Sequence, residues 1–129
     1  MAEHLVTVRF GLLCDQVRRE DNGKLLLIGV FGHDIRVASL PARLALTLVI
    51  GISSKSSVDD HSIEVKTSFN GRQVHTGSGR ITISESGAEL IVVPNIVIQL
   101  EQPGELEFKV KLGEGRWNTA ATIPVRGKA

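Results

Sequence analysis

Tyrosine is missing from this sequence, which holds one tryptophan and four phenylalanines in 129 residues. Stacking platforms for bases or sugars are therefore scarce, and single-stranded nucleic acid is a poor fit. There is a single cysteine, Cys14. That excludes an internal disulfide and a cysteine cluster for zinc. No pattern nominates a base to activate its thiol, and it lies on the apolar face of a strand-like run, so it reads as a small buried hydrophobe. An excess of either charge sign is also lacking: fifteen Lys and Arg stand against fourteen Asp and Glu, a formal charge of +1. Such a balance leaves no footprint for nucleic acid or for an anionic membrane surface. No apolar run approaches the roughly 20 residues of a membrane span. The opening Met1-Ala2-Glu3-His4-Leu5 has neither the basic start nor the apolar core of a secretory signal, so the cytoplasm is the expected location.

What is present is alternation. Between residues 5 and 31 two apolar runs flank a short polar connection. In the first, Val6, Val8, Phe10, Leu12 and Cys14 share one face, opposite Leu5, Thr7, Arg9, Gly11 and Leu13. Successive side chains of a strand point to opposite faces, so this run has one fully apolar face for a core. The second run, Leu25 to Phe31, is apolar on both faces. It reads as a central strand covered on both sides, or as one with a bulge at Gly29. Asn22-Gly23 before it supplies the positive φ of a tight turn.

The rest of the chain continues in strands. Ile35 to Leu40 is a short edge piece. Ser39 could cap a single helical turn with Pro41 inside it. Leu44, Leu46, Leu48, Ile50 and Ile52 make the apolar face of a long strand. Ser53 to Asp60 is a polar loop. Ile63, Val65, Thr67 and Phe69 face one way ahead of Asn70-Gly71, a two-residue hairpin signal. That turn predicts Phe69 opposite Arg72, Thr67 opposite Val74 and Lys66 opposite His75. Gly77-Ser78-Gly79 reads as a turn that breaks the chain before a short strand at Arg80 to Ser84. Along Glu89 to Glu101 the even positions from Leu90 to Leu100 form one apolar face. Pro94 inside it marks a bulge or a switch between sheets. Leu106, Phe108, Val110 and Leu112 alternate with Glu105, Glu107, Lys109 and Lys111, a strand with one charged face. Trp117, Thr119, Ala121 and Ile123 are assigned to the inner face of the last strand.

Strands at short intervals without a convincing helix predict an all-β fold: an antiparallel, immunoglobulin-like β-sandwich of roughly eight or nine strands, built as a single domain over residues 1–129. Several second-face apolar residues, Leu5 with Leu13 and Ile91 with Val93 and Val97, exceed what one core requires. They are candidates for cover by a helix, a loop or another subunit.

Cys14-Asp15-Gln16-Val17-Arg18-Arg19, Asn22-Gly23-Lys24, Leu27-Ile28-Gly29-Val30-Phe31 and the later Leu40-Pro41 together resemble the opening of a family of small bacterial proteins known as a domain of unknown function. The resemblance covers about the first third of the chain. It implies a small stand-alone β-sandwich and carries no activity with it.

The polar connection is the candidate binding site. Asp15, Arg18, Arg19 and Asn22 lie within eight positions, and paired guanidinium forks suit a carboxylate or phosphate. The bland alternative is a solvated loop with local salt bridges and an Asx turn at Asn22, with Asp15 as a structural acceptor holding the loop backbone. For metal, His33-Asp34 and Asp59-Asp60-His61 lie at strand ends, and loops at one end of a sandwich could converge on a cation. The carboxylate-rich spacing of a calcium loop and the two-His helical motif of zinc are both absent. There is no Gly-x-Ser-x-Gly elbow, and the glycine-rich pieces lead into strands, where a phosphate cradle needs a helix. The sequence therefore predicts no catalytic residues, no metal and no cofactor. It predicts a non-catalytic interaction or structural module, with a homodimer or an unidentified protein as partner and neither nucleic acid nor membrane. The alternatives are a small anionic-ligand binder using the Asp15–Asn22 loop, and a small enzyme of unrecognised type.

Overall fold

The computed structural model describes residues 6–127. The strands in chain order are β1 (Val6–Cys14), β2 (Gln16–Arg19), β3 (Leu25–Ile28), β4 (Ile35–Val37), β5 (Ala42–Ser54), β6 (Val58–Phe69), β7 (Arg72–Ile83), β8 (Gly87–Leu100), β9 (Gly104–Leu112) and β10 (Trp117–Gly127). A three-stranded sheet, β1-β5-β8, packs on a five-stranded sheet, β4-β10-β9-β6-β7, and β2 and β3 form a separate hairpin. The all-β sandwich is as the sequence predicts, with ten strands in place of eight or nine. The added pieces are short: β2 forms from the polar connection itself. The sheets are antiparallel except that β4 runs parallel to the end of β10. Leu5 and His4 lie outside the described residues.

The core is aliphatic. Leu46, Leu48, Ile50 and Ile52 of β5 face Leu106, Phe108, Val110 and Leu112 of β9 and Ile63 and Val65 of β6, all buried in one cluster. These strands carry no internal proline, and their expected inner faces are the observed ones. Phe108 has no exposed surface. Elsewhere bulges move side chains from face to face, because adding one residue to a strand reverses the alternation beyond it.

Four of these displace expected residues. In β1 the register slips between Val8 and Phe10. Leu13 then enters the core, while Phe10 and Leu12 turn outward. In β8 Leu46 pairs with Ile96 but Leu48 pairs with Val93, which places a bulge at Pro94–Asn95, with Asn95 at φ 60°. The sequence predicts a bulge there, but the apolar face does not run through it. Ile91 and Val93 face inward before it, and Ile96, Ile98 and Leu100 after it. Between Thr119 and Ala121 a bulge in β10 puts Ala121 and Ile123 inside and leaves Trp117 outside, opposite Lys111. In the β6–β7 hairpin Phe69 meets Arg72 as expected, but a bulge sets Thr67 opposite His75 and Lys66 opposite Thr76.

Three further expectations are corrected. Gly77-Ser78-Gly79 does not break the chain, because β7 runs through it from Arg72 to Ile83. The Leu25–Phe31 run is not a central strand: β3 pairs with β2 alone, and Leu26 and Val30 are exposed. It stops at Gly29, whose φ of +71° is the break that the glycine signals. Residues 39–43 hold no helical turn; β5 starts at Ala42, after a cis Leu40–Pro41 peptide.

Truncating the buried ring at the centre of β9 tests the core assignment. Phe108→Ala should cost about 3–5 kcal/mol in urea denaturation, whereas Lys109→Ala next to it should stay within about 0.5 kcal/mol of the parent.

Candidate functional site

The Asp15–Asn22 segment is a hairpin, and its backbone explains most of its polar residues. The Asp15 N–H donates to the carbonyls of Ile28 and Gly29 at 3.0 and 3.2 Å. The Asp15 carbonyl accepts from Thr47 Oγ1 at 3.5 Å. So the peptide groups of Asp15, not its carboxylate, hold the chain here. The carboxylate lies against Gly29, where a Cβ would overlap it. Asn22 makes the Asx turn, with its Oδ1 accepting from the Lys24 N–H at 3.0 Å. Arg19 donates to the Gly23 carbonyl at 3.5 Å across the same turn. Arg18 and Arg19 stand opposite Leu26 and Leu25 in the hairpin register. Adjacent strand positions project to opposite faces, so the Arg18 and Arg19 side chains leave the strand in opposite directions.

The two acid–histidine segments lie apart, and the expected Ser53–Asp60 loop is shorter than predicted: β5 runs to Ser54 and β6 starts at Val58, so Asp59, Asp60 and His61 are strand residues. Asp34 precedes β4, whose Ile35 pairs with Val125, which in turn pairs with Gly104 at the start of β9. His61 precedes Ile63, which pairs with Leu112 at the end of β9. The two segments therefore sit at opposite ends of the five-stranded sheet. Asp34 is bracketed by Arg36 at 3.2 Å and Arg126 at 3.4 Å. Asp59 accepts from Thr82, and Asp60 pairs with Arg80 at 3.6 Å. Among the described residues no group of three or more His, Cys, Asp or Glu could hold a metal ion, and no helix is long and apolar enough to cross a membrane.

The outer faces of the two sheets differ in kind. On the five-stranded sheet Lys109 pairs with Glu107, Lys111 with Glu64, and the Lys66 ammonium sits 4.5 Å above the Trp117 ring. That face is charged and internally paired. The three-stranded sheet carries an apolar outer face. Phe10, Gly51 and Leu90 form one row across its strands, and Leu12, Val49 and Val92 the next. Phe10 is 46 % exposed, Leu12 38 % and Leu90 43 %, while Val49 between its neighbours is fully covered. The Phe10 ring lies over Gly51, where any Cβ would collide with it. Farther along β8, Val97 is exposed on the same face. The sequence pattern detects surplus apolar residues but names partly the wrong ones, since Leu13, Ile91 and Val93 go to the core side.

A second feature escapes the sequence pattern. β7 and β8 are the outermost strands of their sheets, and a slot of about 380 Å³ lies between them. Gly77, Gly79 and His75 of β7 line it. The signal for it is the glycine pair, which as a turn would carry no such meaning.

Cys14 is fully buried. Burial pushes its thiol above the ordinary value, and the adjacent Asp15 carboxylate acts in the same direction. This marks an inert thiol, since only the thiolate is nucleophilic.

The arrangement is that of a β-sandwich module with one charged and one apolar outer face. The chain belongs to a family of unknown function, DUF6941, which residues 9–126 match. No curated protein sequence matches it. Among solved structures, the C-terminal domain of Wzt is similar with a TM-score of 0.57 at 7 % identity, over 100 % of this chain and 78 % of that one. The CARDB domain of a Pyrococcus furiosus protein in complex with di-metal ions gives a TM-score of 0.45 at 11 % identity, over 95 % of this chain and 99 % of that one. At such identities the likeness is one of fold alone.

The Cys14 thiol supplies a pH test. Below the ordinary thiol value of 9.0 it is neutral in both folded and unfolded chains. Above it the unfolded thiol ionises first, so stability falls as pH rises. The urea midpoint should fall as the pH rises above 9.0, and the fall should be smaller in Cys14→Ala.

Proposed function

We propose that this protein is a non-catalytic interaction module that pairs with a second copy of itself through the outer face of β1, β5 and β8. The observation that carries the reading is the set of exposed Phe10, Leu12 and Leu90, in register on one sheet face. Contiguous exposed apolar side chains rimmed by polar ones are what association surfaces present. A single patch can be self-complementary about a two-fold axis, which makes a homodimer the simplest assembly. The opposite face already satisfies its charges internally and has less to gain from a partner. We place the module in the bacterial cytoplasm, where a lone buried thiol stays reduced. An anion held by Asp15, Arg18, Arg19 and Asn22 is the weaker reading, because the hairpin points its two arginines apart and spends Asn22 on the turn.

Sedimentation of the wild type against Leu12→Glu/Leu90→Glu tests this. Both side chains are exposed, so the fold should persist by circular dichroism. The wild type should sediment as a dimer and the variant as a monomer, with at least about a hundredfold loss of affinity. A wild type that stays monomeric at high concentration, or a variant that still dimerises, would refute the assignment.

A further inference from the structure

The β2–β3 hairpin stands outside the core. Its second strand, Leu25–Ile28, is a run of aliphatic residues, and none of them is buried. Leu26 is 48 % exposed, and Val30 just beyond the strand is 46 % exposed. None of Val17, Leu25, Leu26, Leu27, Ile28 and Val30 belongs to the core cluster or packs against it. A strand that is apolar on both faces is ordinarily covered on both. Yet β2 and β3 pair only with each other, and a two-stranded hairpin by itself is at best marginally stable in water.

The hairpin leaves the body where the apolar outer face of β1, β5 and β8 ends. Leu12 pairs with Val49, and the next outward row is Cys14 with Thr47. Both of these residues are buried, and the Thr47 hydroxyl donates to the Asp15 carbonyl at the hairpin root. From Gln16 the chain runs to a tip at Asn22. At about 3.3 Å per residue that arm reaches roughly 20 Å, about twice the ~10 Å between the outer strands of a three-stranded sheet.

The outer face alone is small for a stable pair. Its two rows, Phe10–Gly51–Leu90 and Leu12–Val49–Val92, cross three strands. At the usual strand spacing and rise they cover on the order of 200 Å² of sheet. A stable interface hides about 800 Å² on each partner. One chain thus carries two apolar surfaces, neither of them covered, joined at Asp15. In a two-fold pair every contact of one surface with another is made twice, once in each direction. A hairpin laid on the partner's sheet therefore covers both surfaces of both copies and closes the assembly.

We propose that the β2–β3 hairpin is a dimerisation arm: each copy lays Leu26 and its aliphatic neighbours across Phe10, Leu12 and Leu90 of the other. This rests on the self-pairing proposed for that face and names what occupies it. Two like faces meeting directly would leave both hairpins bare, whereas exchanged arms leave neither. Arg18 stands opposite Leu26 in the hairpin. Its stem is long enough to keep the guanidinium at the rim while the methylenes lie against apolar surface.

Sedimentation of three proteins tests the arm: the wild type, Leu12→Glu/Leu90→Glu with its face broken, and Leu26→Glu with its arm broken. Leu26→Glu should keep the wild-type circular dichroism and self-associate at least about tenfold more weakly. An equal mixture of the two variants should form a heterodimer tighter than either variant's own pair, because the intact arm of one meets the intact face of the other. In a wild-type dimer of one isotope-labelled and one unlabelled chain, the Leu26 methyls should show nuclear Overhauser contacts to the other chain's Phe10 ring. These contacts need no variant, so they decide the matter even if Leu26→Glu fails to fold. If Leu26→Glu pairs as tightly as the wild type while the face variant is monomeric, the arm is wrong and the pairing face stands. A mixture no tighter than its components, or a wild-type dimer without Leu26–Phe10 contacts, likewise overturns the arm. A monomeric wild type overturns both.

Discussion

Side-chain alternation in a strand has a period of two, and each bulge inverts it. This constraint decides more about the molecule than any single contact does. The bulge between Val8 and Phe10 sends Leu13 into the core and Phe10 and Leu12 to the surface. The bulge at Pro94–Asn95 lets Ile91 and Val93 face the core on one side of it and Ile96, Ile98 and Leu100 on the other, leaving Leu90 and Val97 outside. Because β1 and β8 flank β5, the two inversions place their expelled apolar side chains on the same outer face. Without the β1 inversion Phe10 and Leu12 would have faced the core and Leu13 the outside.

The strands without such inversions are the ones legible in the sequence. β9 alternates Leu106, Phe108, Val110 and Leu112 with Glu105, Glu107, Lys109 and Lys111, so its polar face fixes which side is buried. β8 offers no such contrast. Leu90 and Val92 are as apolar as Ile91 and Val93, so the pattern fits either parity and cannot tell which residues change sides. Pro94 shows that the ladder is interrupted but not which way the faces move. Trp117 misleads for a related reason: size argues for burial, yet the bulge beyond Thr119 leaves it beneath the Lys66 ammonium on the charged face.

Much the same holds for the polar residues. The Asn22-Gly23 turn is readable because it is local: three consecutive residues, Asn22 to Lys24, contain both the Oδ1 acceptor and the positive φ. Arg18 and Arg19 look paired in the sequence only because they are adjacent, and adjacency in a strand means opposite faces. Gly77-Ser78-Gly79 is ambiguous in the same way. Glycines mark turns and also mark strand interiors that must leave space, and only the pairing of Gly77 with Val65 and Gly79 with Ile63 distinguishes the two. His75 faces Thr67, eight positions earlier, only because a bulge moves the pairing by one residue.

The two flanks of the sandwich are also unequal. On one flank β1 and β10 approach so closely that a Cβ on Gly11 would collide with the Ala120 carbonyl. On the other, β7 and β8 stand apart, and glycines keep the gap open. A sandwich needs only enough buried aliphatic surface to offset chain entropy, and the continuous cluster from Leu46 to Ile52 across Phe108 to Ile123 supplies it away from the gap. The open flank is therefore free to stay underpacked at a modest cost in stability, while Pro94 and the bulge at Asn95 keep the β8 edge from pairing with another chain.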